Sequence, residues 1–137
     1  MLLGGAAGTF VSPAHLDTPL NFAGVRAIGA SLGSGAVIVL DDTVDLRPIL
    51  RRIAAFFRDE SCGQCVTCRV GTVRQEELLQ RLLTGHTLGT PHDELTLHTE
   101  IGQAMQDASI CGLGQTAASA IASAFTQLSL FRSARPS

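Results

Sequence analysis

Glu60-Ser61-Cys62-Gly63-Gln64-Cys65-Val66-Thr67-Cys68-Arg69-Val70-Gly71-Thr72 puts a cysteine at every third position across one short stretch. A single distant residue, Cys111, completes the set of 4 cysteines in the chain. Disulfide geometry is restrictive, and partners this close in sequence need a strained loop. A metal is the better account of the triplet. Structural zinc sites usually take their cysteines as separated pairs, whereas here three thiols arrive in one run and the last from afar. A cubane offers iron atoms at its corners, each wanting one thiolate. A loop with cysteines every third residue wraps three corners, and a distant cysteine closes the remaining one. In the bacterial ferredoxin run a further nearby Cys, followed by Pro, serves a second cluster; neither follows Cys68 here. The spacing therefore predicts one [4Fe–4S] cluster held by Cys62, Cys65, Cys68 and Cys111.

Other accounts of the same cysteines stay open at this level. A Cys3His zinc site would recruit His86, His92 or His98. A thioredoxin-like C-x-x-C would need a βαβ pattern, which the surrounding residues do not show. Cys111 taken alone also fits an inert buried thiol. The neighbours of the cysteines suit a cluster. Gly63 and Gly71 bracket the triplet, and Gly112 and Gly114 follow Cys111. Glycines let backbone N–H groups approach sulfur, and such bonds tune a cluster. Arg69 is either a counter-charge to the cluster or a solvated cation at a helix start. Ser61 is a turn or cap residue.

Outward from the cysteines, the chain of 137 residues is long enough for one domain or one and a piece. Apolar residues at 45% and charged residues at 16% argue against disorder. A net charge of −2 gives no electrostatic footprint for nucleic acid, and with no Trp or Tyr there is little to stack on bases. The longest apolar runs, such as 36–40, are too short to cross a membrane, and no basic n-region precedes an apolar stretch. The chain reads as cytoplasmic.

Residues 1–42 differ from the rest. They are rich in glycine and poor in charge, and Pro13 and Pro19 exclude one long helix. Ala36–Leu40 reads as a buried strand after a Gly33-Ser34-Gly35 turn. A segment so short does not build its own core. Residues 43–137 read as helices. Asp45 caps the first, with Pro48 in its first turn and Ile49, Leu50, Ile53, Ala54, Phe56 and Phe57 on one face. The second runs from about Gly71 to Thr84 and stops at Gly85. Asp93 caps a third, and a fourth runs from about Thr116 to Phe131. Asp93 and Glu94 suit a first turn or an exposed face. The expected fold is mainly α: a four-helix bundle with the cluster at one end, preceded by a partial α/β segment. His15, His86, His92 and His98 are scattered, and no nucleophile constellation appears.

The residues quoted at the outset resemble the E-S-C-G-x-C-x-x-C-R-x-G-T signature of the NADH-binding flavoprotein subunit of complex I and its relatives. Ser109-Ile110-Cys111-Gly112-Leu113-Gly114-Gln115-Thr116-Ala117 resembles that family's second signature, in a form closer to the diaphorase subunits of NAD-linked hydrogenases and formate dehydrogenases. Leu16–Leu20 and Gly29–Asp41 are similar to the end of the ubiquitin-like SLBB domain that precedes the cluster domain there. The resemblance implies a partial SLBB segment over 1–42 and an iron–sulfur-binding domain over 43–137. It implies that Cys62, Cys65, Cys68 and Cys111 bind a [4Fe–4S] cluster that takes single electrons from reduced FMN. The family's FMN- and NADH-binding domain lies upstream of these motifs, and neither phosphate loop occurs here. The chain is thus expected to carry electrons rather than oxidise NADH alone. Its implied partners are a flavin/NADH-binding chain or domain and iron–sulfur subunits, in the cytoplasm or at the periphery of a membrane complex, with no nucleic acid and no insertion into the membrane. The competing reading is a zinc-stabilised or purely structural interaction subunit.

Overall fold

The structure, a computed structural model, describes residues 1–131. Its N-terminal part is a small antiparallel sheet in which β1 (Leu2–Leu3) lies between β2 (Thr9–Phe10) and β3 (Val37–Ile38). Leu2 stands opposite Phe10 on one side and Ile38 on the other. Between β2 and β3 the chain forms α1 (Phe22–Ala27), where Asn21 accepts the Gly24 N–H at 2.8 Å. The predicted strand over 36–40 forms, but it is not buried: Val37 and Ile38 are 46% and 43% exposed. The reason is its position, because β3 is an edge strand paired only with β1.

α2 (Leu46–Glu60) begins as its sequence predicts, with the Asp45 carboxylate accepting the Arg47 N–H at 3.0 Å. Leu50, Ile53, Ala54 and Phe57 recur at helical spacing and are buried, while Phe56 turns outward. α3 (Val66–Thr84) starts well before the predicted Gly71, because Cys65 is extended and its carbonyl accepts the Arg69 N–H at 2.9 Å. Cys68 is therefore a residue of the first helical turn, not of a loop. Gly71 does not serve the cysteines. It lies against α4 (Pro91–Ala108), where a Cβ would stand 2.6 Å from Met105 Sδ, so its absence lets the two helices approach. Gly85, at φ 73°, ends α3 as predicted.

The cap of α4 is Thr90, not Asp93. Thr90 Oγ1 accepts the Asp93 N–H at 3.2 Å, and the Asp93 carboxylate accepts the Thr90 N–H at 2.7 Å, a reciprocal capping box. An additional short helix, α5 (Gly112–Thr116), forms where a turn was expected, and the predicted last helix, from about Thr116 to Phe131, is realised as the shorter α6 (Ser119–Gln127). Gln75 Nε2 donates to the Ala117 carbonyl at 3.0 Å, which draws that carbonyl out of the helical ladder at the break.

The fold is thus mainly helical with one small sheet. α2 packs on α3, α3 on α4, and α6 on both α2 and α4. Leu50, Phe57, Leu79, Met105, Ile121 and Phe125 form the core, and Leu2 and Phe10 of the sheet belong to the same cluster. The Phe10 N–H donates to Ser123 Oγ at 2.7 Å, fixing β2 on α6. The N-terminal segment accordingly shares the helices' core.

Candidate metal centre

α3 runs away from the cysteine triplet and α4 runs back, so the chain around Cys111 returns to the start of α3. The Ile110 N–H donates to Cys65 Sγ at 3.4 Å, the bond that joins the two cysteine motifs. Cys65 is the N-cap of α3 and Cys111 the N-cap of α5. Both are extended, and neither side chain caps its own helix. Neither thiol is therefore spent on its own helix; Cys65 Sγ accepts from Ile110 instead, at the start of the long α3, where backbone N–H groups favour negative charge. All 4 cysteines are free: Cys68 is buried, Cys65 half-buried, and Cys62 and Cys111 are exposed.

The surroundings hold these residues in place. Gly63, at φ 77°, turns the chain between Cys62 and Cys65. Arg69 Nη1 donates to the Gly63 carbonyl at 3.1 Å, so this exposed cation at the helix start straps the Cys62–Cys65 loop to α3. Ser61 closes α2 and brings its Oγ within 3.4 Å of Cys68 Sγ. On the other side, a Cβ at Gly114 would stand 2.6 Å from the Cβ of Ser109 and 2.9 Å from that of Cys68, so only glycine fits there. Ser109 is buried, and its hydroxyl has no hydrogen-bond partner.

Free thiols beside helix starts, with an unpartnered buried hydroxyl among them, suit an anionic thiolate-bound cluster. Among the described residues, no three His, Cys, Asp or Glu side chains gather closely enough to hold a single metal ion. The histidines do not complete a Cys3His set either. His86 follows the far end of α3 and His92 opens α4, separated from the triplet by the length of the 19-residue α3, which is about 28 Å at 1.5 Å per residue. His98 is in the core. Its Nε2 lies 3.1 Å from Gln75 Oε1, its ring meets Phe125 edge-on, and burial pushes its pKa down to about 4.

Several residues that support the site lie on stripes whose polar members escaped the sequence reading. Cys68, Thr72, Gln75 and Leu79 follow one face of α3 and are all buried. Thr72 Oγ1 donates to the Cys68 carbonyl at 2.9 Å. Glu94 lies in the first turn of α4, one of the two places expected for it, but it is buried rather than on an exposed face. It accepts from Arg81 Nε and Nη2, each at 2.7 Å, and from the Leu88 N–H at 2.9 Å. Placing the cap at Thr90 reveals the stripe: Glu94, His98, Ile101 and Met105 then fall on one face.

The model of the NADH-ubiquinone oxidoreductase-F iron-sulfur binding region matches residues 48–132, which include every cysteine. The F subunit of the NADH-quinone oxidoreductase of Mycobacterium tuberculosis is 35% identical over 120 residues, covering 88% of this chain and 26% of that protein. Its counterpart in Rhodobacter capsulatus is 34% identical over 116 residues, again across 26% of its length. Among solved structures, an NAD+-reducing [NiFe]-hydrogenase in its H2-reduced state matches with a TM-score of 0.78 and 29% identity, over 94% of this chain and 21% of that one. The chain spans about a quarter of the length of these curated relatives. With the matched region enclosing both cysteine motifs and the helices that bring them together, the chain belongs to the family of the NADH-ubiquinone oxidoreductase-F iron-sulfur binding region.

Proposed function

We propose that the chain is a one-electron relay of an NADH-linked oxidoreductase, with Cys62, Cys65, Cys68 and Cys111 as ligands of a [4Fe–4S] cluster at one end of a bundle formed by its long helices. When bound, such a cluster takes up and releases electrons singly. The observation that carries the reading is the Ile110 N–H bond to Cys65 Sγ at 3.4 Å, which ties the Cys111 segment to the triplet. The residues around it bind and hold. Cys65 and Cys111 stand at helix starts, Arg69 straps the loop, and Gly114 leaves room beside Cys68.

In this reading FMN and NADH belong to a further domain or a partner chain, and electrons pass onward to other iron–sulfur subunits. The relatives named as F subunits of NADH-quinone oxidoreductases and the NAD+-reducing hydrogenase support that placement. Residues 1–42 are read as a partial SLBB-like segment and 43–137 as the iron–sulfur-binding part. Among the described residues, no helix is long and apolar enough to cross a membrane. We place the chain in the cytoplasm, attached to its complex through partner subunits.

Iron and sulfide analysis of anaerobically prepared protein tests the reading, with electron paramagnetic resonance after dithionite reduction. About four irons and four sulfides per chain and a reduced-cluster signal are expected. One zinc without sulfide would instead establish a zinc-stabilised interaction subunit. A bound cluster that partner protein supplied with NADH never reduces would establish a structural one.

A further inference from the structure

We propose that Ser61 and Ser109 are positioning residues whose hydroxyls donate hydrogen bonds to sulfur on the Cys68 side of the cluster site, and that these bonds raise its reduction potential. The inference rests on the cluster reading above and adds to it the residues that set the driving force.

The two serines reach Cys68 from different elements. Ser61 is the residue that caps the C-terminus of α2, and its Oγ lies 3.4 Å from Cys68 Sγ. As a cluster ligand Cys68 is a thiolate and only accepts, so the hydroxyl of Ser61 must be the donor. Ser109 ends α4. Its backbone is fully employed: the N–H donates to the Met105 carbonyl at 3.1 Å, and its own carbonyl accepts from Gln115 Nε2 at 3.0 Å. Its side chain is not. Ser109 is 7% exposed, and its Oγ has no hydrogen-bond partner. A buried hydroxyl without a partner costs about 1–3 kcal/mol. A Cβ at Gly114 would collide with Ser109 Oγ and stand 2.9 Å from Cys68 Cβ, which sets the orphaned hydroxyl in the neighbourhood of Cys68 without a bond to its Sγ. Sulfur in the loaded site supplies the missing acceptor.

The sign follows from charge. Adding an electron makes the cluster and its thiolates more negative. A donor aimed at sulfur is bound more strongly in that state, so it stabilises the reduced form. No bond is made or broken; the hydroxyl protons stay on oxygen throughout. Cys68 is the ligand shielded from water, so no solvent donor substitutes there.

Potentiometric titration of the loaded full chain, followed by electron paramagnetic resonance, tests this with Ser61→Ala, Ser109→Ala, the double variant and Ser61→Thr. Each alanine should lower the reduced-to-oxidised ratio at a fixed applied potential by about fivefold to tenfold, tenfold being about 59 mV for one electron. The double variant should fall further, and Ser61→Thr should stay with the parent because it keeps the hydroxyl. Exchangeable protons coupled to the reduced cluster, counted in the parent by electron–nuclear double resonance in H2O and D2O, give a second reading that survives if an alanine variant does not load. Equal iron content with unmoved potentials would overturn the inference alone, as would a parent whose reduced cluster couples to no exchangeable hydroxyl proton. A parent that takes up no cluster would overturn the function as well.

Discussion

The starts of α3 and α4 are built to opposite plans. α4 opens on a reciprocal capping box between Thr90 and Asp93, and α1 and α2 are capped by Asn21 and Asp45. α3 and α5 open on Cys65 and Cys111, and neither thiol bonds its helix. A good cap is worth about 1 kcal/mol. At two starts the fold forgoes that contribution and leaves sulfur in the cap position. The two ends of the α3–α4 hairpin differ in the same sense. At the far end Arg81 donates to both oxygens of the buried Glu94 carboxylate and the Leu88 N–H adds a third bond. At the near end Ser109 keeps an unpartnered hydroxyl and the cysteines keep free thiols. One end is finished by the chain itself. The other, in the proposed function, is completed by the cluster.

Breaking each end in turn should therefore have separable consequences. Cys65→Ala removes a proposed ligand from the near end, and iron and sulfide per chain should drop to background in metal analysis. Cys111→Ala should do the same or leave a labile three-iron form with its own resonance signal. Glu94→Ala attacks the far end. It strips the partner from Arg81, whose side chain is 21% exposed, and frees the Leu88 N–H. Breaking a buried pair costs about 3–5 kcal/mol, and the partial exposure of Arg81 places this case near the lower figure. Urea unfolding of the apoprotein should show that loss, while iron per folded chain stays at the parent level. A Glu94→Ala protein that folds normally yet takes up no iron would erase the distinction between the ends.

Acid should weaken the core behind the site before it weakens the far end. His98 is held neutral by burial, with its pKa lowered from 6.5 to about 4. Between those values the unfolded chain binds the proton and the folded one does not, so stability falls as pH drops from 6.5 towards 4 and is level above. A shift of that size corresponds to an order of 3 kcal/mol across the window. Hydrogen bonds from Arg81 hold the Glu94 carboxyl below its ordinary range, so its contribution is lost only on further acidification, below the usual carboxylate pKa. Urea midpoints measured against pH should separate the two. His98→Leu should flatten the upper limb and leave the lower one.

The cysteine spacing singled out the candidate site, and the structure brings the Cys111 segment against Cys65 through the Ile110 N–H. The α2 face was legible because Leu50, Ile53, Ala54 and Phe57 mark one stripe without polar interruption. α3 was harder. Its start is set by Cys65, a residue with no strong capping preference, so the helix looked as if it began only at Gly71. Thr72, Gln75, Glu94 and His98 were hidden for a related reason. Gln75, Glu94 and His98 are satisfied by partners far along the chain, such as the Ala117 carbonyl and Arg81, which no local pattern announces, while Thr72 bonds the Cys68 carbonyl one turn back and is buried by the packing of α3. The exposure of β3 was equally out of reach, since an apolar run reads alike at a sheet's edge and in its middle.

The smallest expected effect is the most direct probe of the opposed helix starts. Thr90→Ala removes one half of the capping box and should lower stability by about 1 kcal/mol, with no change in iron content. Cys65→Ser reverses the logic at α3. Cys65 already has the extended backbone of a cap, at φ −87° and ψ 131°, so a serine hydroxyl there is placed to accept an N–H of the first turn. In the iron-free protein this substitution should raise stability by about 0.5–1 kcal/mol while reducing cluster uptake. Urea unfolding of both apoproteins, read beside iron analysis, decides it. If Cys65→Ser lowers apoprotein stability as Thr90→Ala does, the thiol was already serving as a cap and the start of α3 was not left open. If stability rises as cluster uptake falls, the fold gives up helix stability at that position to keep a thiol available to a ligand.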